Sequence, residues 1–256
     1  MTERVTEERE VRADWADLPG GGGIRGYVAR PVGTGWYPGV VVGHQLFGVD
    51  QPVRRFARRL AGAGFTAVVP DLYHRDAPGV ELPTDDDGRR RGFELLHRLR
   101  REEVVRDVAA AMRYLRETPG TRRRVGMVGL SMGGHVAYLA ACRLDLAATA
   151  VLFPGWLTGT EIGLSQPEPT VTLTPGITGR VLLLVGADDQ VVPAADREQI
   201  AEELGSAGVD HELVVYPDTP HAFFLDGAPT YRADAADDAW KRILALLTGT
   251  LGAPGR

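Results

Sequence analysis

A single cysteine, Cys142, stands in 256 residues, so no intrachain disulfide can form. Its neighbours, AYLAACRLDLAA, place it on an apolar helix face, where a thiol packs rather than reacts. Long hydrophobic runs are missing as well. No stretch approaches the roughly 20 apolar residues of a membrane span, and the opening MTERVTEEREVR is charged where a secretory leader would be apolar. These absences lead us to expect a cytoplasmic protein that does not engage a membrane. Positive charge is not in excess either: 29 Lys and Arg against 34 Asp and Glu leave a formal charge of −5, which gives no reason to expect nucleic acid as a partner. The arginine clusters at 89–91, in HRLRREEVVR and at 122–124 are interleaved with acids and read as solvated faces. There is no HExxH motif and no cysteine cluster, and the histidines fall on separate elements, so neither a metal site nor a cofactor is expected.

What the chain does have is 44% hydrophobic residues spread evenly enough for one core, and we read residues 1–256 as a single domain. Short β-branched runs at 39–44, 66–70, 125–130, 149–153, 181–186 and 211–216 alternate with helical spacing at about 53–63, 102–117, 132–143, 194–206 and 231–248. That alternation predicts a mostly parallel sheet with helices on both faces. Two earlier runs, EVRADW and IRGYVAR, joined by the glycine turn at 20–23, predict an antiparallel N-terminal edge within 1–24 and just beyond it. Segments 71–101 and 154–179 are weakly patterned. Both follow parallel strands, so both are expected at the carboxyl edge of the sheet as pocket walls, the second as a candidate lid.

The stretch GLSMGG, 129–134, sits between the strand VGMVG and the helical run MGGHVAYLAAC. Strand, sharp turn and helix around G-x-S-x-G are the setting of a nucleophile elbow, where small neighbours let the backbone bend enough to expose Ser131. A hydroxyl attacks only if a base takes its proton, and in this arrangement the acid and then the histidine follow the serine in the chain. His44, His74 and His97 precede the serine and His135 lies in the next helix. His211 opens a strand, which leaves His221, in the loop YPDTPHAFF, as the base. The acid follows VLLLVG, where spacing alone leaves Asp188 and Asp189 open. An acyl-transfer enzyme also needs donors for the developing oxyanion: the N–H of Met132, after the nucleophile, and one from HQLFG, with Leu46 favoured and Gln45 the other candidate.

GVVVGHQLFGV, AGFTAVVPDLY, VGMVGLSMGGHVAYLAA, VGADDQVVP and PHAFF, in this order, resemble the dienelactone hydrolase family of α/β-hydrolases from about residue 25 to the end. The resemblance implies an α/β-hydrolase fold without a large separate cap domain, and its G-x-x-D pattern at Gly186 and Asp189 selects Asp189 as the acid. Three departures stand out. Ser131 occupies the position where typical members carry cysteine, and Gln45 the position where many carry glutamate. The family's two-arginine clamp on a substrate carboxylate is reduced to one candidate: Arg89, followed by Phe93, resembles the arginine and tyrosine pair, whereas Leu225 stands where the second arginine would be. The pocket should therefore lean apolar, with Phe47, Phe93, Trp156, Phe223 and Leu225 as candidate lining residues beside Gln45 and Arg89. The expected activity is serine-dependent cleavage of a small-molecule ester or lactone other than dienelactone. Thioester or amide chemistry on the same residues, and a non-catalytic ligand-binding protein on the same fold, are the rival readings.

Overall fold

The structure, a computed structural model, describes residues 9–20 and 22–253. Eight strands form one sheet: β1 (Val11–Asp17), β2 (Arg25–Pro31), β3 (Tyr37–Gly43), β4 (Thr66–Pro70), β5 (Thr121–Leu130), β6 (Ala148–Leu152), β7 (Arg180–Gly186) and β8 (His211–Tyr216). Their order is β1-β2-β4-β3-β5-β6-β7-β8. β1 and β2 pair antiparallel, β2 pairs antiparallel with β4, and every later pairing is parallel. Six α-helices cover the sheet: α1 (Gln51–Gly62), α2 (Asp86–Arg98), α3 (Arg101–Glu117), α4 (Met132–Arg143), α5 (Ala194–Ser206) and α6 (Ala233–Leu251). This is the α/β-hydrolase fold. Of the glycine turn, Gly21 lies outside the described residues, as do residues 1–8; Leu18 N–H closes the turn on the Ile24 carbonyl at 3.0 Å.

The period-two alternation of a strand explains why both faces are apolar. Val41, Val68, Met127, Val151 and Leu183 point to one face and pack with α3, α4 and α5; Val40, Val42, Val69, Val128, Leu152 and Leu184 point to the other and pack with α1 and α6. The chain leaves β3 for α1 on one face and leaves the adjacent β5 for α4 on the opposite face. A crevice opens where such connections part, at the carboxyl ends of those two strands.

Two weakly patterned segments prove to be well packed. Within 71–101 a full helix, α2, had no visible period, because its buried stripe uses Gly88 and Gly92 beside Leu95 and Leu96. Asp85 caps it by accepting from Gly88 N–H at 2.9 Å. Segment 154–179 is anchored in the core: Leu157, Ile162, Leu164 and Val171 are buried, and of its two short 3-10 turns Gly163–Ser165 lies against α2 and α3 and Thr170–Gly176 against α4. Arg101, itself buried, donates from Nε to the Leu164 carbonyl at 3.0 Å and from Nη2 to the Glu168 carbonyl at 2.6 Å.

Candidate active site

Ser131 falls between the last residue of β5 and the first of α4, with φ 56° and ψ −115°, a backbone state costly for any residue with a Cβ. Glycine is what makes the turn possible. A Cβ on Gly129 would collide with the Gly133 carbonyl, and one on Gly133 with the Gly43 carbonyl of β3, so strand, elbow and helix interlock through bare backbone. The serine N–H donates to the Leu152 carbonyl at 3.0 Å and its carbonyl accepts from His135 N–H at 3.1 Å, which hold the strained residue in place.

The loop after β8 brings His221 over this elbow. Ser131 Oγ lies 2.9 Å from His221 Nε2, and His221 Nδ1 lies 2.8 Å from Asp189 Oδ2 and 3.0 Å from Oδ1. A carboxylate only accepts, so the ring proton sits on Nδ1 and the Nε2 lone pair faces the serine hydroxyl. Asp189 is 3% exposed, and its Oδ1 also accepts from Val191 N–H at 2.8 Å and Val192 N–H at 3.0 Å, which fixes the carboxylate plane. Asp188, exposed, donates from its backbone to the Thr219 carbonyl and stands outside the chain of bonds. The ring of Phe153 packs edge-on to His221 at 5.1 Å.

The loop from His44 to Gly48 lies beside the serine and is fastened from beneath. His44 is fully buried, and burial lowers its pKa, so the ring is neutral. Leu72 N–H donates to its Nε2 at 3.3 Å, and Nδ1–H donates to the Gln45 carbonyl at 2.7 Å. Tyr73 places its hydroxyl 3.1 Å from the Leu46 carbonyl and 3.2 Å from Met132 Sδ, joining the two residues expected to supply oxyanion donors. Among the described residues the N–H groups of Leu46 and Met132 have no acceptor of their own. From the side, α2 presses its bare Gly92 against Leu46.

Ser131, Met132 and His221 open into a cavity of about 360 Å³ whose walls include Gln45, Leu46, Phe47, Arg89, Phe93, Trp156, Val191 and Leu225. Phe93 and Trp156 meet edge to face across its wall, with centroids 6.2 Å apart and planes at 90°. Of the segment 154–179, Trp156 alone reaches this cavity among the described residues. Gln45 turns its amide to Asp50, Nε2 to Oδ2 at 3.3 Å. Arg89 is exposed at the wall and forms no ion pair among the described residues.

Phe223 is a correction. It is fully buried, 5.4 Å from Phe153 and 5.2 Å from Tyr216 between ring centroids, and is absent from the cavity wall. The left-handed turn at Ala222, φ 59°, directs the next side chain into the core, where it backs Phe153, which in turn backs His221. Sequence reasoning also missed Ala222 and the run Asp226 to Thr230, which wall the cavity after the histidine. The Gly and Pro of LDGAPT marked a loop, but nothing in them marked its direction.

The dienelactone hydrolase family model matches residues 24–251. The chain belongs to the dienelactone hydrolase family. A Synechocystis sp. relative is 35% identical over 228 residues, 87% of this chain and 90% of that one. The carboxymethylenebutenolidase of Pseudomonas putida is 33% identical over 211 residues, 82% and 85% of the two chains. Among solved structures, one from Klebsiella pneumoniae superposes with a TM-score of 0.84 at 29% identity, covering 94% of this chain and 99% of that one. As a family member the chain is a hydrolase.

Proposed function

We propose that this family member is a serine hydrolase that cleaves a carboxylic ester or lactone through an acyl-enzyme, with Ser131, His221 and Asp189 as its catalytic triad. The observation that carries the reading is the unbroken run of hydrogen bonds from Ser131 Oγ through the His221 ring to a buried carboxylate, at a strained elbow that opens into a cavity. Ser131 Oγ attacks the carbonyl carbon as its proton passes to His221 Nε2, and Asp189 stabilises the imidazolium so formed. The oxyanion is held by the N–H groups of Leu46 and Met132. His221 then protonates the leaving alcohol, which in a lactone stays tethered to the acyl group. Water, deprotonated by the same ring, releases the acid.

The cavity wall is rich in Phe47, Phe93, Trp156, Val191 and Leu225, which favours an apolar acyl or alcohol group. The carboxymethylenebutenolidase name of the Pseudomonas relative agrees with the ester and lactone class. Dienelactone itself is not the substrate we expect, because Leu225 offers no charge to pair a carboxylate and Arg89 would act alone.

A fluorophosphonate probe tests the reading. One stoichiometric adduct on Ser131 by intact mass and peptide mapping, absent from Ser131→Ala, is the expected result. Folded wild-type protein that takes up no probe would overturn it. Matched ester, thioester and amide substrates then grade the acyl chemistry.

A further inference from the structure

Beside the catalytic cavity runs a second hollow of about 490 Å³, walled by Arg9, Arg55, Arg58 and Arg59 together with Pro52, Phe224, Leu225 and Asp226. Pro52, Leu225 and Asp226 line both hollows, so the two are neighbours across one thin wall. Helix α1 starts at the cavity and runs along the groove. At 1.5 Å per residue, Arg55 lies about 5 Å and Arg59 about 10 Å beyond Pro52 along the helix axis.

Several other surface arginines are committed to carboxylates. Arg54 pairs with Glu81, Arg75 with Asp107 and Arg90 with Asp87. Among the described residues, Arg9, Arg55, Arg58 and Arg59 form no ion pair, and Asp226 is the one carboxylate among the groove's lining residues. Three are instead posed by aromatic rings: Arg59 lies 4.2 Å over Trp240, Arg58 lies 5.9 Å over Tyr27 and donates from Nε to its hydroxyl at 2.7 Å, and Arg9 lies 5.8 Å over Tyr37. Stacking holds a guanidinium by its face and leaves edge N–H groups to bind an anion. Arg55 is held only by a 3.5 Å contact to the Asp226 carbonyl. Like charges at i, i+3 and i, i+4 destabilise a helix, so this grouping in a chain of net charge −5 has a cost that a bound polyanion would offset.

We propose that this groove binds the phosphorylated end of the substrate's leaving group, an alcohol or thiol carrying two or more phosphate charges, while the acyl group occupies the catalytic cavity. The inference rests on the serine hydrolase reading above. Chemically nothing is added to it: the acyl carbon bonds to Ser131 Oγ, its bond to the leaving oxygen or sulfur breaks, and that atom takes the proton held by His221.

The test uses hydrolysis of 4-nitrophenyl butanoate, with butanoyl-coenzyme A and butanoyl-N-acetylcysteamine as competitors. They share the acyl thioester and differ in the phosphorylated part, and each competes whether or not it is itself cleaved. In wild-type protein the coenzyme A thioester should compete at about tenfold lower concentration, the sum of a few screened ion pairs, and 0.5 M salt should remove the advantage. Arg55→Glu should abolish the advantage and Arg55→Lys retain it. Arg106→Glu, the same charge change at an exposed position on α3, should leave it intact, with folding checked by circular dichroism. Equal competition in wild-type protein, or an advantage that survives Arg55→Glu, overturns the proposal. If the nitrophenyl ester is not turned over, the hydrolase reading fails instead. The groove is then read by calorimetric titration with coenzyme A, where absent or Arg55-independent binding overturns it.

Discussion

His135, in the helix that follows the nucleophile, should make the protein acid-labile by a calculable amount. Its ring is fully buried, with Nδ1 2.8 Å from the Gly155 carbonyl and Nε2 2.8 Å from Thr170 Oγ1. The Gly155 carbonyl can only accept, so the neutral ring donates from Nδ1 and receives the threonine hydroxyl at Nε2. Burial, the largest cause, lowers its pKa to about 4. The folded-state value lies below the unfolded one, so the unfolded chain binds the proton first. Stability is complete above the unfolded value near 6.5 and is lost as pH falls toward 4. The loss amounts to about 2 kcal/mol between pH 7 and pH 5 and about 3 kcal/mol by pH 4. His44, also buried with a lowered pKa, adds a loss of the same sign, so the assay must isolate one ring. Urea unfolding of wild type and His135→Gln at pH 7, 6 and 5 does this. The variant starts less stable, yet its decline across the range should be smaller than that of wild type by about 2 kcal/mol. Parallel declines would refute the assignment of a buried neutral ring.

Asp189→Asn keeps an acceptor for the Val191 and Val192 N–H groups but turns an amide toward His221 Nδ1, which favours the wrong tautomer. Its kcat should fall by about 10⁴ with folding intact, and a fall below tenfold in ester turnover would remove Asp189 from the triad. Gly92→Ala would bring a Cβ to 2.6 Å from Leu46 Cγ and 2.9 Å from its carbonyl oxygen. Displacing the proposed oxyanion loop should lower kcat by about 100-fold while KM changes little; an unchanged kcat would mean that α2 does not set the loop. Phe223→Ala should cost about 3 to 5 kcal/mol in urea unfolding without altering acyl-chain preference. Phe93→Ala, at the cavity wall, should do the reverse, and a series of 4-nitrophenyl esters of rising chain length separates the two.

What could be read from the sequence follows from what each signal depends on. The parallel strands and five of the helices were legible because burial on both sheet faces makes a strand a near-continuous β-branched apolar run and burial on a helix stripe imposes period 3.6. The observed bounds of β4, β8, α4 and α5 coincide with the runs so read. Ser131 stood out because a strained turn demands glycines at fixed offsets, and His221 because chain order limits which base can follow, whereas chain order left Asp188 and Asp189 open and the family resemblance alone selected Asp189. The structure brings these three within hydrogen-bonding distance. Helix α2 was not legible, since glycines contribute to its buried side and glycine carries no hydrophobic signal. Phe223 was misplaced for a related reason. Whether an aromatic after the histidine faces cavity or core turns on one left-handed residue, Ala222, whose small side chain gives no sign of its φ.

Gln45 stands where the family resemblance implies an acid, and it shares the cavity wall with the proposed nucleophile Ser131. An acid there would place a second proton acceptor near Ser131, able to compete with His221 for its hydroxyl. The glutamine amide instead donates to Asp50, whose other oxygen caps α1 by accepting from Val53 N–H at 3.0 Å. The carboxylate that Gln45 meets is thus five residues on and committed to a helix cap. Its pKa is raised, chiefly by burial. His44, in the same loop, is neutral because burial lowers its pKa. In the proposed mechanism the stabilisation comes from backbone N–H groups on a loop pinned by His44, Tyr73 and Gly92. Such dipoles, fixed before the reaction, favour the transition state over the ground state in proportion to how little they move. In that mechanism the strain at Ser131 and the tight seat of the loop belong to one device, in which rigidity holds donors and nucleophile in register.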